Sequence, residues 1–261
     1  MGLNAIEICS IVKKYGNLIA VKNLSFDVHE GEVYGLLGPN GAGKTTTLKV
    51  LMSLIDPDSG SASIFGIDST ANPIEAKKRV GYVPEEQHLY DSLTPHELFM
   101  FVASIRQLDH WIAKNRVIGM SQALDFTNHY NKPIVTLSQG NEQKVMLIIA
   151  MLHAPKLLIL DEPFSGLDVQ TIRIMKETIS IHTKAGGSVL LSTHTMEMAE
   201  VLCDRVGIID EGLLIAEGTL DDLRTQAELE DATLERLFLK LTDEEDDITE
   251  RVDIMREALG Y

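Results

Sequence analysis

Residues 38 to 45 read G-P-N-G-A-G-K-T. The three glycines of this stretch carry no Cβ, so successive backbone N–H groups can point into one concavity that holds phosphate. Lys44 is expected to reach the β- and γ-phosphates, and the Thr45 hydroxyl is expected to complete the coordination of a Mg²⁺ ion. The spacing is that of the GxxxxGK[ST] phosphate-binding loop, and it restricts the chemistry of the chain to nucleoside triphosphates.

The flanking residues supply the structural context that the loop needs. An apolar run from Val33 to Leu37, typical of a buried strand, precedes it, and Leu48, Leu51 and Ile55 recur after it at helical spacing. Strand-like and helical segments go on alternating along the chain. This alternation predicts an α/β fold built on a mostly parallel sheet.

One part of the chain departs from the alternation. Thr94-Pro95-His96-Glu97 combines a capping box with proline at the first helical position, and no strand candidate follows up to about Tyr130. We therefore expect a helical subdomain at about residues 90–150, inserted in a domain that spans residues 1–220. Residues 221–261 are expected to form an acidic, helical C-terminal extension.

The chain is strongly acidic. Its 23 Lys and Arg against 39 Asp and Glu give a formal charge of −16, and residues 217–261 hold 15 acidic and 5 basic residues, or −10 of that total. Nucleic acid is therefore excluded as an expected partner, because phosphate binding needs clustered Lys and Arg. The acidic end is either a solvated tail or a feature that attracts a basic partner, such as the Lys- and Arg-rich cytoplasmic loops of a membrane protein.

The sequence predicts neither secretion nor membrane insertion. The start, M-G-L-N-A-I-E-I, has no basic segment ahead of an apolar run. The longest apolar run, from Val145 to Leu152, is far short of the roughly 20 residues that a spanning helix needs. Two cysteines, Cys9 and Cys203, make no disulfide framework, which favours a reducing compartment.

Two carboxylates follow a second apolar run. L-L-I-L-D-E-P, residues 157–163, predicts a buried parallel strand that delivers Asp161 and Glu162 to the sheet edge where the phosphate loop lies. Asp161 is expected to hold Mg²⁺, and Glu162 is expected to polarise the attacking water as a general base. The next strand ends in S-T-H, which is expected to bring His194 to the γ-phosphate.

A second anion site is predicted in a different part of the chain. L-S-Q-G-N-E-Q, residues 137–143, precedes a helix expected from about Asn141 to Leu152, so Ser138 and the backbone near Gly140 offer donors at a helix N-terminus. Read alone, this is an ordinary helix cap. Beside the phosphate loop, it suggests one ATP molecule clamped between two chains.

The order of these motifs is similar to that of the nucleotide-binding domain of ATP-binding cassette (ABC) transporters, from about residue 5 to residue 220. The resemblance implies a P-loop NTPase core of mostly parallel sheet, with an N-terminal antiparallel β subdomain and an inserted helical subdomain. It implies that Tyr15 stacks on adenine and that Ser138 and Gly140 engage the ATP bound by the opposite subunit. It also implies that the S-G-L-D loop, residues 165–168, communicates across a dimer.

The motifs and the resemblance together give a set of candidate site residues. Glu162 and His194 are the candidate catalytic residues, and Thr45, Glu85 and Asp161 are the candidate ligands of Mg²⁺. The residues expected to contact ATP are Tyr15, Gly38, Pro39, Asn40, Gly41, Ala42, Gly43, Lys44, Thr45, Thr46, Ser138, Gln139, Gly140 and Asp168.

Two positions depart from the common pattern of the family. The signature reads L-S-Q-G-N where L-S-G-G-Q is common, so Gln139 adds a side chain beside the phosphate site of the opposite subunit. Glu85, in G-Y-V-P-E, falls where the family usually has a glutamine that senses Mg²⁺ and couples to the membrane partner. Repulsion between Glu85 and ATP is expected to cost roughly a few kcal/mol. Both variants resemble exporter-type members.

These features predict an ATP-binding and ATP-hydrolysing subunit, cytoplasmic and peripheral on the inner face of the cell membrane. It is expected to dimerise around two ATP molecules with an identical or homologous subunit, and to drive a separate integral membrane permease for export. The alternative is a soluble ABC-type ATPase without a transport role, for example an iron–sulfur assembly ATPase. A GTPase switch needs Asn-Lys-x-Asp, and Asn131-Lys132-Pro133-Ile134 lacks the Asp, which favours ATP.

Overall fold

The computed structural model describes residues 4–242 and 245–259. The strands are β1 Asn4–Tyr15, β2 Leu18–His29, β3 Val33–Leu37, β4 Ser59–Ile64, β5 Ile67–Asp68, β6 Val80–Val83, β7 Leu157–Asp161, β8 Ser188–Thr193, β9 Arg205–Asp210 and β10 Leu213–Gly218. The helices are α1 Lys44–Leu51, α2 Pro73–Lys78, α3 Pro95–Ile105, α4 His110–Ala123, α5 Gln139–Met151, α6 Val169–Lys184, α7 Met196–Leu202, α8 Leu220–Ala227, α9 Leu234–Leu241 and α10 Glu245–Leu259.

A six-stranded sheet in the order β10-β9-β3-β8-β7-β6 forms the centre of the molecule. Its strands are parallel from β9 to β6, and only β10 runs antiparallel, as the second strand of a hairpin with β9. Every residue of β3, β7 and β8 is buried, and apart from Asp161 at the end of β7 these strands consist of apolar or small residues, as central parallel strands do. The predicted mostly parallel sheet is confirmed.

The topology places the functional motifs at one edge of this sheet. Strand β3 pairs with β8, and β8 pairs with β7, all in parallel, so their carboxyl ends lie side by side. The phosphate loop follows β3, Asp161 ends β7 and Thr193 ends β8. Parallel order therefore gathers the phosphate loop with two motifs that follow it by more than a hundred residues in the sequence.

The N-terminal strands form a second sheet, antiparallel and in the order β2-β1-β4-β5. Its inner face shares a hydrophobic core with helix α1, in which Ile6, Phe26, Leu48 and Leu51 are buried. The predicted antiparallel β subdomain is confirmed. Gly16, at φ +58°, lies in the tight turn between β1 and β2, and Tyr15 and Leu18 on either side of this turn lie beside the phosphate loop.

A helical region made of α3, α4 and α5 replaces the α/β alternation between β6 and β7. Its predicted capping box is present, since Thr94 Oγ1 accepts from Glu97 N at 3.2 Å and Glu97 Oε2 accepts from Thr94 N at 2.8 Å. Phe99 and Phe126 pack edge to face in its core. The predicted start of the next helix at Asn141 is wrong by two residues, because α5 begins at Gln139, directly after an extended N-cap residue.

Helices α8 and α9 pack onto the sheet rather than extending away from it. Leu223, Leu234 and Leu237 are fully buried in one hydrophobic cluster with Leu37 of β3 and Ile208 of β9. The apolar face of α9 is therefore part of the hydrophobic core. The division of the chain at residue 220 stays a prediction, and hydrophobic packing continues across that position.

Candidate nucleotide site

Two glycines make the phosphate loop possible. Gly43 lies at φ +104°, and a Cβ there would approach the carbonyl oxygen of Ala20 to 2.5 Å. A Cβ on Gly38 would collide with the carbonyl oxygen of Ile209 on the neighbouring strand β9. The loop therefore keeps its path between β3 and α1 only with glycine at these positions.

The Lys44 side chain is held by the loop that it follows. Its Nζ donates to the Gly38 carbonyl at 2.7 Å and to the Pro39 carbonyl at 3.1 Å, and only 6% of the residue is exposed. Burial lowers the pKa of the Lys44 ammonium, and the nearby carboxylate of Glu162 raises it in part. Two backbone carbonyls thus hold the ammonium in position beside the loop where phosphate is expected to bind.

A cavity of about 320 Å³ lies over the loop. Its lining residues are Tyr15, Leu18, Ala20, Asn40, Gly41, Gly43, Lys44, Thr45, Thr46, Glu85, Asp161 and Glu162. Most of the candidate residues of the phosphate loop are in this set, together with Tyr15 and the carboxylates. The sequence analysis did not include Leu18 and Ala20 among the site residues. Their position just after the turn that follows Tyr15 could have indicated that they line the same cavity.

Asp161 supplies a buried carboxylate at the floor of the cavity. The residue is fully buried, and among the described residues neither of its oxygens has a hydrogen-bond partner of ordinary geometry. Burial raises the pKa of the Asp161 carboxyl. Thr45, the last residue of the loop motif, lines the same cavity, and its Oγ1 donates to Glu85 Oε2 at 3.2 Å. The two Asp161 oxygens thus lie in the same cavity as the Thr45 hydroxyl and the Glu85 carboxylate.

The Glu162 carboxylate is fixed by the end of strand β8. Thr193 Oγ1 donates to Oε2 at 3.0 Å, the backbone N–H of His194 donates to Oε1 at 2.9 Å, and His194 Nδ1 lies 2.7 Å from the same Oε1. Glu162 and His194, which the sequence places at the ends of successive strands, are therefore in direct contact. Thr193 was missed as a contributor, although it stands in the S-T-H motif that drew attention to its neighbour.

The backbone of Glu162 is held in an unusual conformation. Its φ is +47°, in the left-handed region where a residue with a side chain costs of order 1–3 kcal/mol. Its N–H donates to the Ser192 carbonyl at 2.9 Å, and its carbonyl accepts from Ser165 N at 3.3 Å. The surrounding strands therefore hold the turn that aims the carboxylate at the cavity.

The signature residues lie away from the cavity of their own chain. Ser138 is the exposed N-cap of α5 and accepts from Asn141 Nδ2 at 3.1 Å, and Gln139 is exposed as well. A Cβ on Gly140 would lie 2.5 Å from the Gly166 carbonyl oxygen, so the signature packs closely on the S-G-L-D loop. The structure brings these two motifs together, but it does not bring them to the phosphate loop of the same chain.

Asp168 stabilises the helix that it precedes. Its carboxylate accepts from Thr171 N and from Thr171 Oγ1, both at 2.8 Å, and pairs with Lys144 Nζ at 3.4 Å. The hydrogen bonds from Thr171 lower the pKa of Asp168 to about 2, with a smaller contribution from Lys144. An Asp168 contact with nucleotide stays a prediction.

Comparison with known proteins gives the family. The sequence profile described as ABC transporter matches residues 21–165, which include the phosphate loop, the signature and the Asp161–Glu162 pair. The chain belongs to the ABC transporter family. It is an ATP-binding ATPase subunit of this family, and the soluble, transport-independent alternative is not favoured.

Individual relatives agree with this assignment. The linearmycin resistance ATP-binding protein LnrL of Bacillus subtilis (strain 168) is 40% identical over 214 residues, which are 82% of this chain and 69% of LnrL. The probable multidrug ABC transporter ATP-binding protein YbhF of Escherichia coli (strain K12) is 36% identical over 92% of this chain, which spans only 42% of YbhF. A structure titled as the ATP-binding subunit of an ABC transporter superposes with a TM-score of 0.87 at 34% identity, over 91% of this chain and 99% of its own.

Across residues 4–242 and 245–259, no helix of the structure combines the length and the apolarity that a bilayer span needs.

Proposed function

We propose that this ABC ATPase subunit works as a dimer that closes around two ATP molecules and powers a separate membrane permease for export. The dimer is inferred from the position of the signature segment, residues 137–143. Ser138 and Gln139 are exposed, and the residues that line the cavity over Lys44 include neither of them. Each chain therefore offers half of a nucleotide site and, on another surface, the half that a second chain lacks.

An export role is supported by the names of the relatives, and contact with a permease is supported by the surface of the helical region. One relative is named for linearmycin resistance and another as a probable multidrug ABC transporter protein. The helical region exposes large apolar side chains, including Tyr90, Phe101 and Trp111, and the rings of Tyr90 and Phe101 meet edge to face at 6.5 Å. We propose that a permease covers this surface on the inner face of the cell membrane.

Recovery from native membranes tests the permease. The tagged chain, extracted in mild detergent, is expected to carry a bound integral membrane protein, identified by mass spectrometry. The mutant Trp111→Ser, which removes exposed apolar surface, is expected to recover less of it. Recovery of the chain with soluble partners alone would contradict the transport role and favour the soluble alternative.

The residues present fit a Mg²⁺ ion. Asp161 has two buried oxygens without a hydrogen bond of ordinary geometry among the described residues, and Thr45 and Glu85 line the same cavity. The structure holds no cluster of three or more His, Cys, Asp or Glu that would bind a metal alone, again within the described residues. This donor set suits Mg²⁺, which is usually held by one or two carboxylates together with substrate phosphates. When bound, Mg²⁺ would neutralise charge on the β- and γ-phosphates.

The remaining groups have separate tasks in hydrolysis. Lys44 and the backbone N–H groups of the phosphate loop hold the phosphates, and Tyr15 lines the cavity where adenine would stack. Glu162 accepts the proton of the attacking water, because its carboxylate is fixed at the rim of the cavity. Nδ1 of His194 contacts Glu162, which leaves Nε2, the other ring nitrogen, to contact the γ-phosphate.

Mixing two inactive variants tests the dimer. Lys44→Ala removes the phosphate contact of one half-site, and Ser138→Arg blocks the half-site that acts on the other chain. In a mixed dimer, one composite site has both lesions and the other has neither. An equimolar mixture is therefore expected to recover about one quarter of the wild-type ATPase rate, since half of the dimers are mixed and each has one intact site of two.

The outcome separates the two arrangements. A site completed within one chain would leave every chain with one lesion, and the mixture would stay as inactive as its components. The double mutant mixed with wild type serves as the control for dilution.

Glu85→Gln tests the metal site. The mutation removes a negative charge beside Thr45, so the Mg²⁺ concentration at half-maximal ATPase activity is expected to rise by roughly three- to tenfold, while repulsion of ATP falls. The measurement is a Mg²⁺ titration of the steady-state rate at saturating ATP. Glu86→Gln is the matched control, because Glu86 is exposed and pairs with His88. An unchanged Mg²⁺ dependence would place Glu85 outside the metal site.

A further inference from the structure

A buried glutamine links three functional segments of the chain. Gln143, on helix α5, is only 1% exposed. Its Nε2 donates to the carbonyl oxygen of Pro163 at 3.0 Å, and its Oε1 accepts from Gln87 Nε2. Pro163 directly follows Glu162, and Gln87 lies two residues after Glu85. One side chain therefore touches the turn of the general base and the loop of the candidate metal ligand.

The direction of these hydrogen bonds is fixed by chemistry. The Pro163 carbonyl can only accept, so the amide nitrogen of Gln143 must face it and the amide oxygen must face Gln87. An apolar residue of the same size would fill this space but would leave the Pro163 carbonyl unsatisfied. The site thus needs a donor at this position of α5 and not only volume.

The Gln143 bond completes the support of Glu162. The carboxylate is already held by Thr193 and His194 at the end of β8, and the backbone N–H by Ser192. The carbonyl of Pro163, the residue after the left-handed Glu162, is held from the other side by Gln143 of α5. Since α5 begins directly after Ser138, a displacement of the signature moves the same helix that fixes the Glu162 turn.

We propose that Gln143 is a positioning residue for ATP hydrolysis, which aligns Glu162 through the Pro163 carbonyl and couples that alignment to the helical region and the signature. The proposal rests on the proposed role of Glu162 as the general base. Gln143 is expected to act on the chemical step and not on nucleotide affinity, because its side chain does not line the cavity over the phosphate loop.

Two substitutions of similar size separate positioning from packing. Gln143→Met keeps the volume and removes both hydrogen bonds, and it is expected to lower kcat by about tenfold or more while KM for ATP stays within about twofold. Gln143→Glu can donate to the Pro163 carbonyl only when its carboxyl is protonated, and burial raises the pKa of such a carboxyl. Its kcat relative to the wild type is therefore expected to rise as the pH is lowered from about 8 to about 6, whereas the relative kcat of Gln143→Met stays flat.

Control variants make the outcomes distinct. Gln122→Met, on the exposed face of α4, makes the same chemical change and is expected to keep wild-type kcat and KM. A wild-type kcat in Gln143→Met, or a loss of kcat and ATP affinity in equal measure, would overturn the positioning role. If Gln143→Met does not fold, the pH profile of Gln143→Glu decides, and a profile parallel to the wild type overturns the proposal. Normal turnover in Glu162→Gln would instead overturn the base assignment, whatever the Gln143 variants show.

Discussion

Glu162→Gln is expected to bind ATP and dimerise, yet to hydrolyse ATP about 10²- to 10⁴-fold more slowly than the wild type. A glutamine amide has nearly the same shape as the carboxylate and can still accept from Thr193 Oγ1 or from the His194 N–H. It cannot accept the proton of the attacking water. The change therefore removes the chemical step and keeps the fold and the phosphate contacts.

The measurements are a steady-state ATPase rate and the sedimentation of the protein with ATP and Mg²⁺. Because hydrolysis no longer reopens the dimer, the ATP-dependent dimer is expected to be more populated in Glu162→Gln than in the wild type. Glu197→Gln is a matched control, since Glu197 is exposed on α7 three residues after His194. Near-normal turnover in Glu162→Gln would show that another group activates the water.

The sequence was a sufficient guide to the elements whose signals are local. The strand before the phosphate loop has the predicted limits, Val33 to Leu37, because every position of a central parallel strand is apolar or small. The capping box at Thr94 and Glu97 lies where its four-residue pattern predicts. The predicted start of α5 was less accurate. Gln139 and Gly140, in its first turn, are polar or lack a side chain, so they add nothing to the apolar periodicity that marks a helix.

In the candidate site, too, some contacts follow from the sequence and others depend on how distant segments pack. The meeting of Asp161, Glu162 and His194 is predictable because parallel strands bring their carboxyl ends to one edge. The bonds of Thr193 and Gln143 were not predictable. A hydroxyl or amide within a motif gives no sign of its partner until the packing of α5 against the turn after β7 is known.

Loss of ATP affinity is the expected result of Lys44→Ala. A hydrogen bond to a charged group contributes about 1.5–3 kcal/mol, so loss of one such bond from the ammonium is expected to raise the Kd for ATP by roughly 10- to 150-fold. In the nucleotide-free chain this ammonium is held by the carbonyls of Gly38 and Pro39, and it is nine-tenths buried. Because the ammonium is already held beside the loop, little reorganisation is expected when phosphate binds, and most of the interaction is expected to appear as affinity.

The Kd is measured by calorimetric titration with ATP in the presence and absence of Mg²⁺. Lys44→Met serves beside Lys44→Ala, because it keeps much of the buried volume and removes only the charge. If both variants lose affinity equally, the charge and not the packing is responsible. Lys49→Ala, on the exposed face of the same helix α1, is the control and is expected to bind ATP like the wild type. An unchanged Kd in Lys44→Ala would contradict the phosphate-loop assignment itself, since no other residue of G-P-N-G-A-G-K-T carries a positive charge.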